Sequence, residues 1–310
     1  MRIPRATIWL ALLYAFIIGF SFLFTKQALE IADPVDMLAF RFSLSFLAIG
    51  IPVWAGWIRL GLRAGHWRRL LPIGLTYPAA FFGFQSFGLA HATSSEGGIF
   101  SAMTPVFTLI LGSLVLKERT SWIQKLSVLC SVGGVVCIVS MGGASLNGTS
   151  AFGIAMLLAS AITLALYGVF ARSMRHEFNA FQLSFAMMLV GCVCFDAAAI
   201  AKHVWEGTFG GMLQPFSHPV FAVSILYIGL LSSLVSSLLS NFVLSKLEAF
   251  KMSVFVNLGN LIAVLAGILF LHDKLEIYHL YGGLLILVGV FGVQYRRRDK
   301  REAAKEEVAA

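Results

Sequence analysis

Charge is scarce in this sequence. Asp, Glu, Lys and Arg together make up 12% of its 310 residues, against about 25% in an ordinary soluble domain. With 58% hydrophobic residues and a mean hydropathy of +0.85, the chain cannot cover a soluble surface and reads as an integral membrane protein. Cysteine is equally thin. Cys130 and Cys137 fall on one helical face and Cys192 and Cys194 on opposed faces, all in apolar runs. That pattern fits buried, reduced thiols and provides neither a disulfide framework nor a metal site. The seven histidines form no HExxH, none sits mid-span, and no paired carboxylates share a face, which argues against an enzyme. A Walker motif is absent, which argues against ATP drive within the chain. No acid stands at mid-span depth, so nothing marks a proton-coupling carboxylate.

What is present is a duplicated hairpin. Gly97 to Leu116 runs 20 residues without a charge, about the length that crosses a bilayer core as a helix. It carries Pro105 at its centre, stops at Lys117-Glu118-Arg119, and restarts behind Ser121, which with Gln124 spells a capping box. A shift of 155 residues lands on a second such unit. Lys251 to Leu271 is apolar, breaks at His272-Asp273-Lys274, and restarts at Glu276. Under that shift Glu118 meets Asp273, Pro105 meets Asn260 and Gly134 meets Gly289.

Ten spans are expected, at about 7–27, 34–57, 70–90, 96–116, 121–141, 151–171, 178–201, 218–243, 247–271 and 276–294. The first reads as a retained anchor rather than a removable signal. With the N-terminus inside, the inner connections hold nineteen Lys and Arg and the outer ones three, which places both termini in the cytoplasm. Five spans per repeat would insert the second repeat upside down, as in many transporters built around one midplane site. The expected organisation is a repeat at 6–141, an external linker at 142–150, an inverted repeat at 151–295 and a basic cytoplasmic tail at 296–310. The net charge of +8 then flanks membrane lipid rather than nucleic acid.

The run from Phe87 through Glu96-Gly-Gly-Ile-Phe-Ser-Ala-Met-Thr-Pro105 to Leu-Lys-Glu118-Arg resembles the signature half of an EamA-type transporter of the drug/metabolite transporter superfamily. Asn257-Leu-Gly-Asn260 and Leu-His-Asp273-Lys-Leu match the second half more loosely. The resemblance implies an all-α integral membrane fold of ten transmembrane helices in two inverted five-helix repeats. Helices three, four, eight and nine, with one and six, would surround a central cavity, while five and ten pack the halves together. It implies a secondary transporter in the plasma (inner) membrane, without cofactors, acting as a monomer or weak homodimer. Its substrate would be a small organic solute such as an amino acid, metabolite or drug, and export is its expected direction. The alternatives are a lipid translocase of the same fold and a membrane-embedded transferase. Two departures stand out: the family's second-half proline is Asn260 here, and its second-half Glu is Asp273.

Several residues have two readings each. Pro105 frees the carbonyl of Ser101, giving a structural kink or a kink that also lines the substrate site. Asn257 and Asn260 share one face of the ninth span, as packing glue or as cavity lining. Ser232, Ser236 and Ser240 form a stripe that repeat-matches Tyr77, Phe81 and Gln85, so that one wall would be aromatic and the other hydroxylic. Tyr167, Trp9, Phe20 and Phe24 are further candidate ring faces. Arg41 is the only charge well inside a span, either paired with Asp36 or Glu30 or working in binding or gating. Glu96 and His91 read as an interfacial hairpin, and Asp196 likewise. Glu118 and Asp273 read as caps for the turns that follow them. Small residues at spacing four (Ala151, Ala155, Ala159 and Thr163) and the pairs Cys130/Gly134 and Gly282/Gly289 read as close helix seams.

Overall fold

The computed structural model describes residues 5–115, 121–142, 151–174, 177–246 and 249–294. Among these there is no strand. The first half holds α1 (Arg5–Leu29), α2 (Pro34–Trp54), α3 (Ala64–Gly74), a π-helical stretch Leu75–Ala80, α4 (Phe81–Ala90), α5 (Ser94–Ser101), α6 (Thr104–Val115) and α7 (Trp122–Gly142). The second holds α8 (Ala151–Met174), α9 (Ala180–Glu206), α10 (Pro219–Leu226), a π stretch Tyr227–Val235, α11 (Ser236–Lys246), α12 (Ala249–Phe270) and α13 (Ile277–Gln294). Six stretches of the described residues are long and apolar enough to span a membrane: Thr7–Leu29, Pro34–Trp54, Trp122–Met141, Ala151–Gly168, Ala180–Glu206 and Pro219–Val243. Phe255–Phe270 and Ile277–Gly292 are shorter apolar helices.

Polarity is turned outside in. Leu13, Phe16, Leu47, Leu129 and Leu284 are exposed, while Ser45, Ser86, Ser131, Ser160 and Ser232 are buried. Water would reward the opposite arrangement, and lipid rewards this one. Trp9, Trp54, Trp57, Trp122 and Trp205 are exposed near helix ends, where an indole is half wet and half apolar.

Helix starts follow local chemistry. Asp33 caps α2, its Oδ1 accepting from the amide of Val35 at 2.9 Å, with Pro34 at the first helical position. Ser121 and Gln124 form the capping box that the sequence spells, at 2.9 and 3.2 Å. Asn179 and Gln182 make another at α9, which ends on Gly207 at φ 67.

The packing pairs are reciprocal. α1 packs on α12, and its counterpart by order, α8, the first helix of the second half, packs on α5 and α6. α1 also meets α10 and α11, while α8 meets α3 and α4; α2 lies against α9 and α7 against α13. The α7–α13 seam is backbone-close. A Cβ on Gly134 would stand 2.5 Å from the Gly282 carbonyl, and one on Gly289 would stand 2.4 Å from that of Ser127. On α8 the expected stripe is displaced. Ala151 and Ala155 are exposed, and the contact face is Gly153, Leu157, Ala161 and Ala165. A Cβ on Gly153 would meet the His91 carbonyl at 2.7 Å. Both stripes have spacing four, so the period alone does not say which one faces protein.

Candidate functional site

Arg41 lies on α2, 1% exposed, and it makes no ion pair among the described residues. This corrects the expected pairing with Asp36 or Glu30. Five residues along a helix turn the side chain about 140°, and Asp36 faces α9 instead. There it meets Lys202 Nζ at 3.0 Å and His203 Nε2 at 3.1 Å. Lys202 also pairs with Asp33. Arg41 turns to the π stretch Tyr227–Val235, where Nε donates to Ser233 Oγ at 2.7 Å and Nη2 to Ser232 Oγ at 3.2 Å. Ser233 donates onward to the carbonyl of Ile228, five residues back, at 2.8 Å. Regular α-helical turns would not aim two consecutive serines this way; the wider π turn does. Close approach of α2 makes the contact possible: a Cβ on Gly229 would be 3.1 Å from the Arg41 carbonyl. Ser45 Oγ sits 2.7 Å from that carbonyl and 2.8 Å from the Gly229 carbonyl.

An aromatic wall closes the other side. The guanidinium carbon stands 4.0 Å from the Phe82 ring centroid. Phe82 touches Tyr77 at 5.4 Å, Tyr77 touches Phe81 at 5.2 Å, and Tyr77 stacks on Tyr167 of α8 at 4.7 Å. Tyr77 occupies the first π stretch, with a non-helical backbone at φ −144 and ψ 113 and a cis bond to Pro78. Tyr14 of α1 lies near Tyr77 and Tyr167. These three tyrosines sit deep yet remain only half-buried. A guanidinium within a span costs about 2.5–3.5 kcal/mol by insertion scales. Hydrogen bonds to a charged group return about 1.5–3 kcal/mol each, and a desolvated cation–π contact about 2 kcal/mol. The site therefore tolerates the charge, but its Nη1 has no hydrogen-bond partner.

A second polar group lies between α5 and α12. Asn257 and Asn260 are 8% and 5% exposed; both polar atoms of the first side chain and Nδ2 of the second lack partners. Ser101 Oγ is unpartnered too. A Cβ on Gly98, one turn before Ser101, would stand 2.8 Å from the Asn260 carbonyl. The fourth span is interrupted between Ser101 and Thr104, and the Ser101 carbonyl accepts from Thr104 Oγ1 at 2.8 Å. Half-buried Pro105 opens α6. α12 runs without interruption through Asn260.

The structure thus unites Tyr77, Phe81, Tyr167, Ser232 and Arg41, and groups Ser101 with Asn257 and Asn260. Ser236 is turned onto the Ser232 carbonyl and Gln85 is buried on α4. Phe24 stacks on Tyr227 at 4.2 Å, at the start of the π stretch that carries Ser232 and Ser233. Tyr14 and Phe82 carry no mark in the sequence, and Ser233 stands there only beside the serine stripe. Ser237, beside the serine stripe and on α11, meets Ser184 of α9 at 2.7 Å.

Three expected surface anchors are relocated. Glu96 is buried: its Oε2 accepts from the Thr93 amide at 2.8 Å in the α5 capping box, and its Oε1 faces His279 Nε2 at 3.2 Å. His91 stays exposed. Asp273 caps α5 rather than its own turn, with Oδ2 accepting from Ser95 N and Oγ. Half-buried Asp196 accepts from Ser43 Oγ at 2.7 Å and Cys192 Sγ at 3.1 Å. Lys26 donates to the Leu89 and Ala92 carbonyls at 2.8 and 2.7 Å, beside Glu96 and Asp273. Glu118 lies outside the described residues.

The model of the EamA-like transporter family matches this chain twice, over residues 5–140 and 151–295. The uncharacterized transporter YcxC of Bacillus subtilis is 43% identical over 293 residues, covering 94% of each chain. A "Probable terminal-alkyne amino-acid exporter" of Streptantibioticus cattleyicolor is 23% identical over 266 residues, 84% of each chain. One solved crystal structure superposes with a TM-score of 0.53 at 15% identity, covering 90% of this chain and 95% of its own.

Proposed function

Because the chain belongs to the EamA-like transporter family and is a multi-pass membrane protein, we propose that it is a secondary transporter exporting a small organic solute by alternating access. In this reading ten transmembrane segments form two inverted five-helix halves around a midplane site. The twofold family match and the reciprocal packing pairs support the duplication. So do the π stretches, since Leu75–Ala80 falls on 230–235 under the 155-residue shift, inside Tyr227–Val235. The charge asymmetry supports cytoplasmic termini in the cell membrane. Cysteines placed at Ser217 and His272 should then label from outside and one at Arg63 should not; labelling of Arg63 from outside would reverse the orientation.

The observation that carries the transport reading is the set of orphaned polar atoms on Arg41, Ser101, Asn257 and Asn260, all within apolar helices. Buried polar atoms without partners cost free energy, and a polar solute passing between the halves would complete them. The amino-acid exporter among the relatives supports efflux of solutes of that size.

Solute accumulation in cells overexpressing the protein, measured across a metabolite panel, tests this. At least one solute should fall inside the cell and rise outside, and Asn257→Leu should abolish the effect in a protein still present in the membrane. An equal loss from Leu284→Trp, which alters an exposed apolar position, would mean general destabilisation and defeat the site.

A further inference from the structure

We propose that Arg41 is an anion subsite and that the transported solute carries one carboxylate. This rests on the transport reading above and names the substrate class for that site.

The chain shows how it neutralises a cation that it uses for structure. Lys202, on the helix next to α2, meets two carboxylates, Asp33 and Asp36. Arg41 meets none among the described residues. Its partners are two hydroxyls and the rings of Phe82 and Phe42, which solvate the charge but leave it uncancelled. The nearby acids on its own helix are committed to Lys202 and His203. Tyr77 faces it as well, but a neutral phenol adds no counter-charge.

The unpaired edge of the guanidinium has a definite geometry. The side-on fork of the guanidinium, Nε with Nη2, is taken by Ser233 and Ser232, and Nη1 is left over. Nη1 together with the second hydrogen of Nη2 is the end-on fork, which fits the two oxygens of a carboxylate in parallel. A water molecule would satisfy the hydrogens but leave the charge. A phosphate dianion would overshoot one isolated cation and leave a net negative charge in an apolar wall. A single carboxylate balances it.

The remainder of the solute would meet rings. Phe81, Phe82, Tyr77 and Tyr167 form one continuous face beside the guanidinium. In this conformation Nη1 is covered; the two hydroxyls come from the π-helical Tyr227–Val235, and the Phe82 ring comes from the first turn of α4, directly after the π-helical Leu75–Ala80. Such segments recur at functional positions where a helix must yield.

The test uses the full chain in lipid nanodiscs and three probes: 3-phenylpropionate, its uncharged amide, and 3-phenylpropylphosphonate at a pH where it is dianionic. Thermal unfolding is recorded with each. The carboxylate should raise the midpoint of the wild type, the amide should not, and the phosphonate should do less than the carboxylate. Arg41→Gln should lose the carboxylate effect. Arg41→Lys keeps the charge without the planar fork; it should weaken the effect about tenfold and guards against a Gln variant that does not fold. Equal shifts from carboxylate and amide, a carboxylate effect surviving in Arg41→Gln, a larger shift from phosphonate, or no shift from any probe would each overturn the proposal. Counterflow in proteoliposomes separates the two readings. Solute transport that persists unchanged in Arg41→Gln would sink the subsite and leave the transporter standing. Absence of any transport by the wild type would sink the transporter, while the binding series would still decide what Arg41 holds.

Discussion

One carboxylate oxygen of Asp273 accepts both the amide of Ser95, at 2.8 Å, and its hydroxyl, at 2.7 Å, across 178 residues of sequence. The contact ties the loop before α13 to the first turn of α5, where an acceptor also meets the positive helix end. Glu96 to His279 lies alongside, and Lys26 bonds the end of α4 at the same level. The Asp273–Ser95 and Glu96–His279 contacts join the two halves at one end of the bundle, and the Lys26 bonds brace the first half beside them. Loss of the cap should cost about 1 kcal/mol, as for other helix caps. Asp273→Ala should therefore lower the unfolding midpoint modestly and raise thiol labelling of a cysteine at Ser101 from that end. Unchanged labelling in a folded variant would mean that Asp273 is a cap and not a latch.

The α7–α13 seam gives a contrast within one dipeptide. A Cβ on Gly134 would strike the Gly282 carbonyl, whereas one on Gly133 would meet nothing within 4 Å. Gly134→Leu should destabilise by roughly 1–3 kcal/mol, the usual cost of overpacking. Gly133→Ala should be neutral or slightly stabilising. Detergent-solubilised melting curves of the two variants decide it, and equal curves would refute the seam.

Asp33 carries a pH dependence. Burial pushes its carboxyl upward, but hydrogen bonds from Asp36 and Lys202 outweigh that and hold it below its ordinary 3.8. A carboxyl lowered in the folded state contributes stability above its unfolded value, and the contribution fades as pH falls through the folded one. Wild-type stability should therefore decline below about pH 4 more steeply than that of Asp33→Asn. Parallel acid titrations of the two would contradict the pairing.

Proline placement makes the two halves unequal. The fourth span is interrupted between Ser101 and Thr104, while α12 passes Asn260 unbroken. Asn260→Pro should introduce a comparable break and shift cysteine accessibility between the two ends of the site. It does so only if the two states differ in the bend of α12. An unchanged pattern in a folded protein would rule out that pair as a source of asymmetry.

Membrane class, family, the hairpin boundaries and the break near Pro105 were legible because each leaves a local mark: an uncharged run, a cap, a proline. The partners of Arg41 were not. Sequence offered Asp36 and Glu30 as neighbours in the chain, and the choice fell to Ser232 and Ser233, brought in by a π turn that no residue type announces. Asp273 is a similar case. Its cap lies on a helix of the other half, and local spacing suggested only its own turn. Tyr14 stood out from an apolar run merely by its hydroxyl.

The close approach of Gly134 to Gly282 also has a consequence in time. The helix α7 is complete long before α13, since Cys130 and its contact Leu285 are 155 residues apart. At ordinary rates of synthesis that interval is on the order of ten seconds. Throughout it the glycine groove of α7 lacks the helix that fills it in the folded protein. The helix that closes it, α13, follows all the other described helices in the chain. A chain truncated before α13 would thus reach the membrane with most of its helices and without its clasp, and cellular quality control would meet it in that state.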